Sequence, residues 1–130
     1  MTELDELIRT AKLLRAPGGC PWDAEQTHES LVQYLLEETY ELIDAIESGN
    51  REEVLEELGD VLYQVVFHSD LASTGSLGAA FDIQDVAKFT KEKMMGRHPH
   101  VFGDAEQLEK FKAVTGDDVM LNWDNHKQKE

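Results

Sequence analysis

Apolar residues recur along this chain with the period of an α-helix, and glycines and prolines mark where the period breaks. Leu4, Leu7, Ile8, Ala11 and Leu14 fall three or four apart, which predicts a first helix from about Glu3 to Arg15. Ala16-Pro17-Gly18-Gly19-Cys20-Pro21 then stops it, since this run of glycines and prolines cannot continue a helix. Trp22 and Asp23 are expected in the loop that follows. A second helix is expected from near Thr27 or His28 to Glu47, ended by Ser48-Gly49-Asn50. A third spans about Glu52 to Ala72, and Ser73-Thr74-Gly75 closes it. After a connector of small residues, Asp82 is placed to cap a fourth helix that ends near Gly96.

Beyond that point the pattern weakens. Arg97 to Gly103 is expected as a loop, because Pro99 disfavours helical geometry at His98. Two faint helical patterns follow, around Leu108 to Val114 and Val119 to His126, and the last few residues are expected to be mobile. Neither a β-period run nor an internal repeat is present. The expectation is an all-α chain forming one domain, with a bundled core over about residues 3–103 and a C-terminal tail over 104–130.

Composition adds further constraints. Hydrophobic content of 41% and charged content of 30% suit a globular protein. The net charge of −15, with 27 acids, argues against nucleic-acid surfaces and anionic membranes, both of which need clustered Lys and Arg. Cys20 is the single cysteine, which leaves no intrachain disulfide and no Cys-based zinc site. As the residue before Pro21 it reads as structural. The acidic N-terminus lacks the basic start of a signal peptide, and no apolar run approaches the ~20 residues that span a bilayer. A cytoplasmic protein is therefore expected.

Most of the acids belong to a solvated surface, but two runs do not fit that description: Glu37-Glu38-Thr39-Tyr40-Glu41 and Glu56-Glu57-Leu58-Gly59-Asp60. Each sets acids three apart on a helix, on one side of the cylinder. Taking Leu31 as zero, Glu38 falls near about −20°, within the apolar stripe, and Glu41 near about −80°, on its flank. Glu37 and Asp44 lie further toward solvent. On the next helix, with Val54, Val61, Val65 and Ala72 as the stripe, Glu57 and Asp60 lie along one flank. A short connection makes the two helices antiparallel neighbours, so the pairs converge. Four convergent carboxylates repel one another, and a divalent cation relieves this. An all-oxygen set favours Mg²⁺ or Mn²⁺ over zinc.

The same residues carry a resemblance. Leu35-Leu36-Glu37-Glu38-Thr39-Tyr40-Glu41 followed by Glu56-Glu57-Leu58-Gly59-Asp60 resembles the EExxE…ExxD pattern of MazG-type nucleoside triphosphate pyrophosphohydrolases. Gly19-Cys20-Pro21-Trp22-Asp23 with Gln26-Thr27 before it, and Arg97-His98-Pro99-His100-Val101-Phe102-Gly103 after it, extend the match over about Leu14 to Gly103. The resemblance implies an all-α four-helix bundle acting as a homodimer or dimer of dimers. It also implies Mg²⁺-dependent cleavage of a nucleoside triphosphate, ribo or deoxy, between the α- and β-phosphates. Carried over by position, it makes Glu38, Glu41, Glu57 and Asp60 the metal ligands, with Glu38 and Glu41 in the catalytic set beside Lys93 and Arg97. Those two cations match positions that approach the triphosphate.

For Trp22 the alternatives are contact with the nucleotide base or an interface, and plain packing. Trp123 resembles an aromatic that stacks on the base, with packing against the bundle as the other reading. One departure stands out: where the family often carries a second Arg before the Arg-His-Pro-His segment, this chain has Gly96. A catalytically silent nucleotide-binding or regulatory protein is the competing reading. His98 and His100 read as structural, closing a loop and capping a helix end. Glu25-Gln26-Thr27-His28 has the spacing of one di-iron ligand pair, but such bundles need two.

Overall fold

Thr2 begins the first helix by a reciprocal cap. Its hydroxyl accepts from the Asp5 backbone N–H at 3.1 Å while the Asp5 carboxylate accepts from the Thr2 N–H. In the computed structural model, which describes residues 1–128, this cap opens α1 (Glu3–Arg15), with the bounds the periodicity predicts. The chain then turns tightly enough for the Cys20 N–H to donate to the Leu14 carbonyl at 2.8 Å. Gly19 permits that approach: a Cβ there would sit 2.3 Å from the Leu13 carbonyl oxygen.

The glycine-proline segment does not lead into a loop at Trp22 and Asp23. Pro21 starts a short helix, α2 (Pro21–Glu25), that contains both residues. Proline lacks only the N–H that the first turn leaves unpaired, so it opens a helix as readily as it ends one. The next helix, α3 (Val32–Ser48), starts later than the expected Thr27 or His28. Side chains hold residues 27–30 in a turn: Thr27 and Ser30 exchange backbone-to-hydroxyl bonds of 2.8 and 3.1 Å, and Ser30 also donates to Gln26.

Gly49 ends α3 in the left-handed region (φ +72°), a conformation that only glycine adopts without strain. Asn50 immediately caps α4 (Arg51–Ser73), accepting from the N–H groups of Glu52 and Glu53. This two-residue link folds α3 and α4 into an antiparallel hairpin, and α1 packs on α4. Leu31, Phe67 and Leu71 form the buried cluster, with Tyr34 and Tyr63 packed against it.

The expected apolar stripes are only partly covered. Leu31 and Ala72 are buried, whereas Leu35, Ile46 and Val65 remain exposed. Toward its C-terminal end α4 buries Val66, Phe67, Ser69, Leu71 and Ala72. That is the side α1 and the start of α3 cover.

The chain divides into two compact units, Met1–Ile83 and a second from Gln84 onward. The second unit is led by α5 (Ile83–Arg97). Arg97 to Gly103 is not a continuous loop. His98 leaves helical geometry (φ −125°, ψ 57°), as the residue before a proline does, but Pro99 starts α6 (Pro99–Phe102). Three short helices follow: α7 (Ala105–Lys110), α8 (Gly116–Met120) and α9 (Trp123–Gln128). Capping boxes at Asp104 and Thr115 fix the starts of α7 and α8, which sequence periodicity did not locate. The mobility expected of the last residues falls partly on 129–130, outside the described residues. No strand occurs among the described residues, and no helix there is long and apolar enough to cross a membrane.

Candidate metal centre

The hairpin turn sets the geometry of the acids. Glu41 and Glu57 each lie eight residues from Gly49, and Glu38 and Asp60 each lie eleven from it. In an antiparallel hairpin, positions equidistant from the turn meet, so the spacing alone pairs Glu41 with Glu57 and Glu38 with Asp60. The structure realises this: one oxygen from each of the four carboxylates lies within 4.8 Å of the others.

Their environment is strained electrostatically. Glu38 and Glu57 each keep an Oε2 that is buried and without a hydrogen-bond partner. Among the described residues, no ion pair involves any of the four acids. Burial first, then hydrogen bonding to and repulsion from Glu41, then Asp60, pushes the carboxyls of both Glu38 and Glu57 up to about 7. Each of these two acids thus holds its proton for about half the time near pH 7, unless a positive charge joins them. The donor set is hard oxygen only, and two of the oxygens are orphaned, so the residues fit a divalent cation such as Mg²⁺. A cleft of about 400 Å³, lined by Glu41, Asp44, Ala45, Ser48, Glu53 and Glu57, opens beside the quartet toward the turn.

The other expected site residues are distributed as follows. Trp22 lies on α2, half-exposed, with its ring edge-on to Tyr34 at 5.7 Å. In the second unit, Lys93 and Arg97 stand one turn apart on α5. There the Arg97 guanidinium lies over the Trp123 ring at 5.8 Å, and His98 meets the same indole edge-on at 5.2 Å. Trp123 therefore has packing partners within its own unit. His98 holds the end of α5 through its Nδ1, 2.6 Å from the Met94 carbonyl oxygen. A side chain at Gly96 would meet nothing within 4 Å.

His28 takes no part in a Glu-x-x-His pair on one helix, because α2 ends at Glu25 and His28 lies in the turn beyond. It instead meets His68 of α4. The rings stack at 5.0 Å, their Nδ1 atoms are 2.8 Å apart, and His28 Nε2 is 2.6 Å from Ser76 Oγ. Burial and the nearby His28 charge hold His68 below its ordinary range. The sequence reading missed His68. Its signal was position: Glu57, Gln64 and His68 are seven and four residues apart, one strip of a helix.

Helices that present paired carboxylates across a tight hairpin define an all-α protein built around an acid quartet that could hold a metal ion. The model of the MazG nucleotide pyrophosphohydrolase domain matches residues 26–102, and the chain belongs to that family. It is 51% identical over 114 residues to the nucleoside triphosphate pyrophosphohydrolase/pyrophosphatase MazG of Thermotoga maritima, covering 84% of this chain and 44% of that protein. It is 38% identical over 131 residues to the nucleoside triphosphate pyrophosphohydrolase of Escherichia coli K12, covering 100% of this chain and 46% of that protein. The enzyme of the same name from Mycobacterium tuberculosis is 42% identical over 117 residues, covering 90% of this chain and 33% of its own length. The chain thus spans less than half the length of these relatives.

Proposed function

We propose that this chain hydrolyses nucleoside triphosphates, ribo or deoxy, at the α–β bond to give a monophosphate and pyrophosphate, in a cytoplasmic nucleotide-housekeeping role. The observation that carries the reading is the quartet Glu38, Glu41, Glu57 and Asp60, convergent and with buried unpartnered oxygens, in a chain of this family. These four acids hold Mg²⁺, with Mn²⁺ as a substitute. Such a cation would supply the positive charge that lets a triphosphate approach these carboxylates, and would act as a Lewis acid toward its phosphorus. A carboxylate of the quartet, or Glu37 beside it, orients the attacking water and takes its proton. Lys93 and Arg97 supply the charge that a pyrophosphate leaving group requires. Trp22 and Trp123 are the aromatic side chains assigned to the nucleotide.

The test is pyrophosphate release from a panel of NTPs and dNTPs with Mg²⁺, for the wild type and Glu41→Gln. The wild type turns over and the variant loses on the order of 10²–10³ in rate, matching several kcal/mol of lost charge stabilisation. A wild type without turnover at micromolar enzyme defeats the hydrolase reading, and an unimpaired variant defeats the ligand assignment.

The working unit is a homodimer or dimer of dimers. Leu55, Leu58, Leu62 and Val65 form a seam of three- and four-residue steps along α4, each 40–59% exposed. An apolar seam of that spacing suits a second copy of the chain. Light scattering is expected to give a multiple of 14.7 kDa for the wild type and a smaller species for Leu58→Glu. A monomeric wild type excludes the assembly.

A further inference from the structure

Glu57, Gln64 and His68 share one strip of α4, since at about 100° per residue positions 64 and 68 lie within roughly 20° of position 57. Glu57 belongs to the metal quartet. The other two do not, yet Gln64 Oε1 and His68 Nε2 are both buried and lack any hydrogen-bond partner. Protein interiors pair nearly all such groups, and an orphaned one costs free energy. Two orphans one turn apart, beginning one turn beyond Asp60, are not scattered imperfections. They continue the row of unpartnered oxygens at Glu38 and Glu57.

The far end of the strip is held in place. His68 stacks on His28 with 13° between ring planes. One of the two Nδ1 atoms, 2.8 Å apart, donates and the other accepts, and Ser76 fixes the outer His28 nitrogen. If the Ser76 hydroxyl donates to His28, the chain of bonds leaves His68 Nε2 as an N–H donor; the reverse leaves it an acceptor. In either case the polar atom that faces no partner is fixed by a second ring and a hydroxyl. Gln64 Oε1 is an acceptor. Together they offer a hydrogen-bonding pair along about 12 Å of helix from Asp60 to His68.

We propose that Gln64 and His68 form the nucleoside subsite, with Gln64 Oε1 accepting a hydrogen bond from an N–H or O–H of the base or sugar. The inference rests on the hydrolase reading, in which the quartet takes the phosphate end. A buried acceptor that only the substrate satisfies discriminates strongly against nucleotides lacking the donor. Gln64 is then a residue that sets which nucleotide is accepted, while the metal ligands set only that a phosphate chain is accepted.

The experiment compares wild type, Gln64→Leu and Gln64→Glu. It measures kcat/KM on ATP, GTP, CTP, UTP and their deoxy forms, and inhibition by inorganic tripolyphosphate, which has no nucleoside. Gln64→Leu is expected to lose about tenfold or more on the preferred nucleotide, chiefly through KM, and to flatten the ratios across the panel. Its tripolyphosphate inhibition constant stays within twofold of wild type. Without ligand it melts no lower than wild type, because the orphaned carboxamide is gone.

Unchanged ratios across the panel, or a parallel weakening of tripolyphosphate, overturn the proposal. So does a Gln64→Leu protein that melts well below wild type, since the carboxamide would then serve the fold. If the wild type proves not to turn over, the hydrolase reading fails alone. Calorimetric binding of the same nucleotides to the same variants then decides this inference by the same ratios.

Discussion

Asp70 and the quartet acids lie on the same hairpin, yet their charges are met in opposite ways. Asp70 has a side chain only 9% exposed, and its two oxygens meet Arg15 Nη1 at 2.5 Å and Lys12 Nζ at 3.1 Å. Arg15 also lies over the Phe67 ring at 5.7 Å, so the charge pair is built into the packing of α1 on α4. Glu38, Glu41, Glu57 and Asp60 have one another and, among the described residues, no cation. A burial cost met from within the chain produces structure. The same cost left unmet leaves room for a partner from outside the chain, and here the geometry and the oxygen donors suit a divalent ion.

The comparison breaks most visibly at Asp70. Asp70→Ala leaves the Arg15 guanidinium largely buried without its carboxylate, which costs about 3 kcal/mol or more. At a few degrees per kcal/mol for a chain of this size, the thermal midpoint falls by roughly 10 °C. Calorimetry checks this, and a midpoint within 2 °C of wild type would show that the pair contributes only at the surface.

The quartet should respond in the other direction. Because the folded-state values of Glu38 and Glu57 are raised to about 7 from 4.5, the folded chain holds more protons than the unfolded one between those values. Stability of the metal-free protein therefore falls as pH rises from about 4.5 through 7. Millimolar Mg²⁺ removes that loss by binding the ionised form, and Glu57→Gln flattens it without metal. Thermal midpoints from pH 5 to pH 8, with EDTA or Mg²⁺, measure the effect. Curves that coincide with and without Mg²⁺ would separate the raised acids from metal binding.

Sequence periodicity read this contrast only in part. α1 and α4 follow from apolar spacing and caps, and the quartet follows from acids set symmetrically about a glycine turn. The Arg15–Asp70 pair, 55 residues apart in the chain, leaves no local trace, because long-range ion pairs depend on how helices pack. Proline chemistry predicts only breaks at Pro21 and Pro99, although each also starts a short helix. The delayed start of α3 depends on side-chain bonds among Gln26, Thr27 and Ser30 that compete with the helix. Helical angle puts Gln64 beside Glu57 on the flank of the stripe, but nothing in the spacing marks it or His68 as part of a site, since a polar residue at helical spacing is conspicuous only once its burial is known.

The central claim is that the quartet is completed by a divalent cation while Asp70 is completed by the chain. Titration of Mn²⁺ into the protein, followed by the loss of the free-ion electron paramagnetic resonance signal, tests it directly. The wild type is expected to take up Mn²⁺ with an affinity that rises as pH passes through about 7. Asp60→Asn loses that uptake, while Asp70→Asn retains it at a temperature where the variant is folded. A wild type that leaves the free-ion signal unchanged, or an Asp60→Asn protein that binds as the wild type does, would contradict the account.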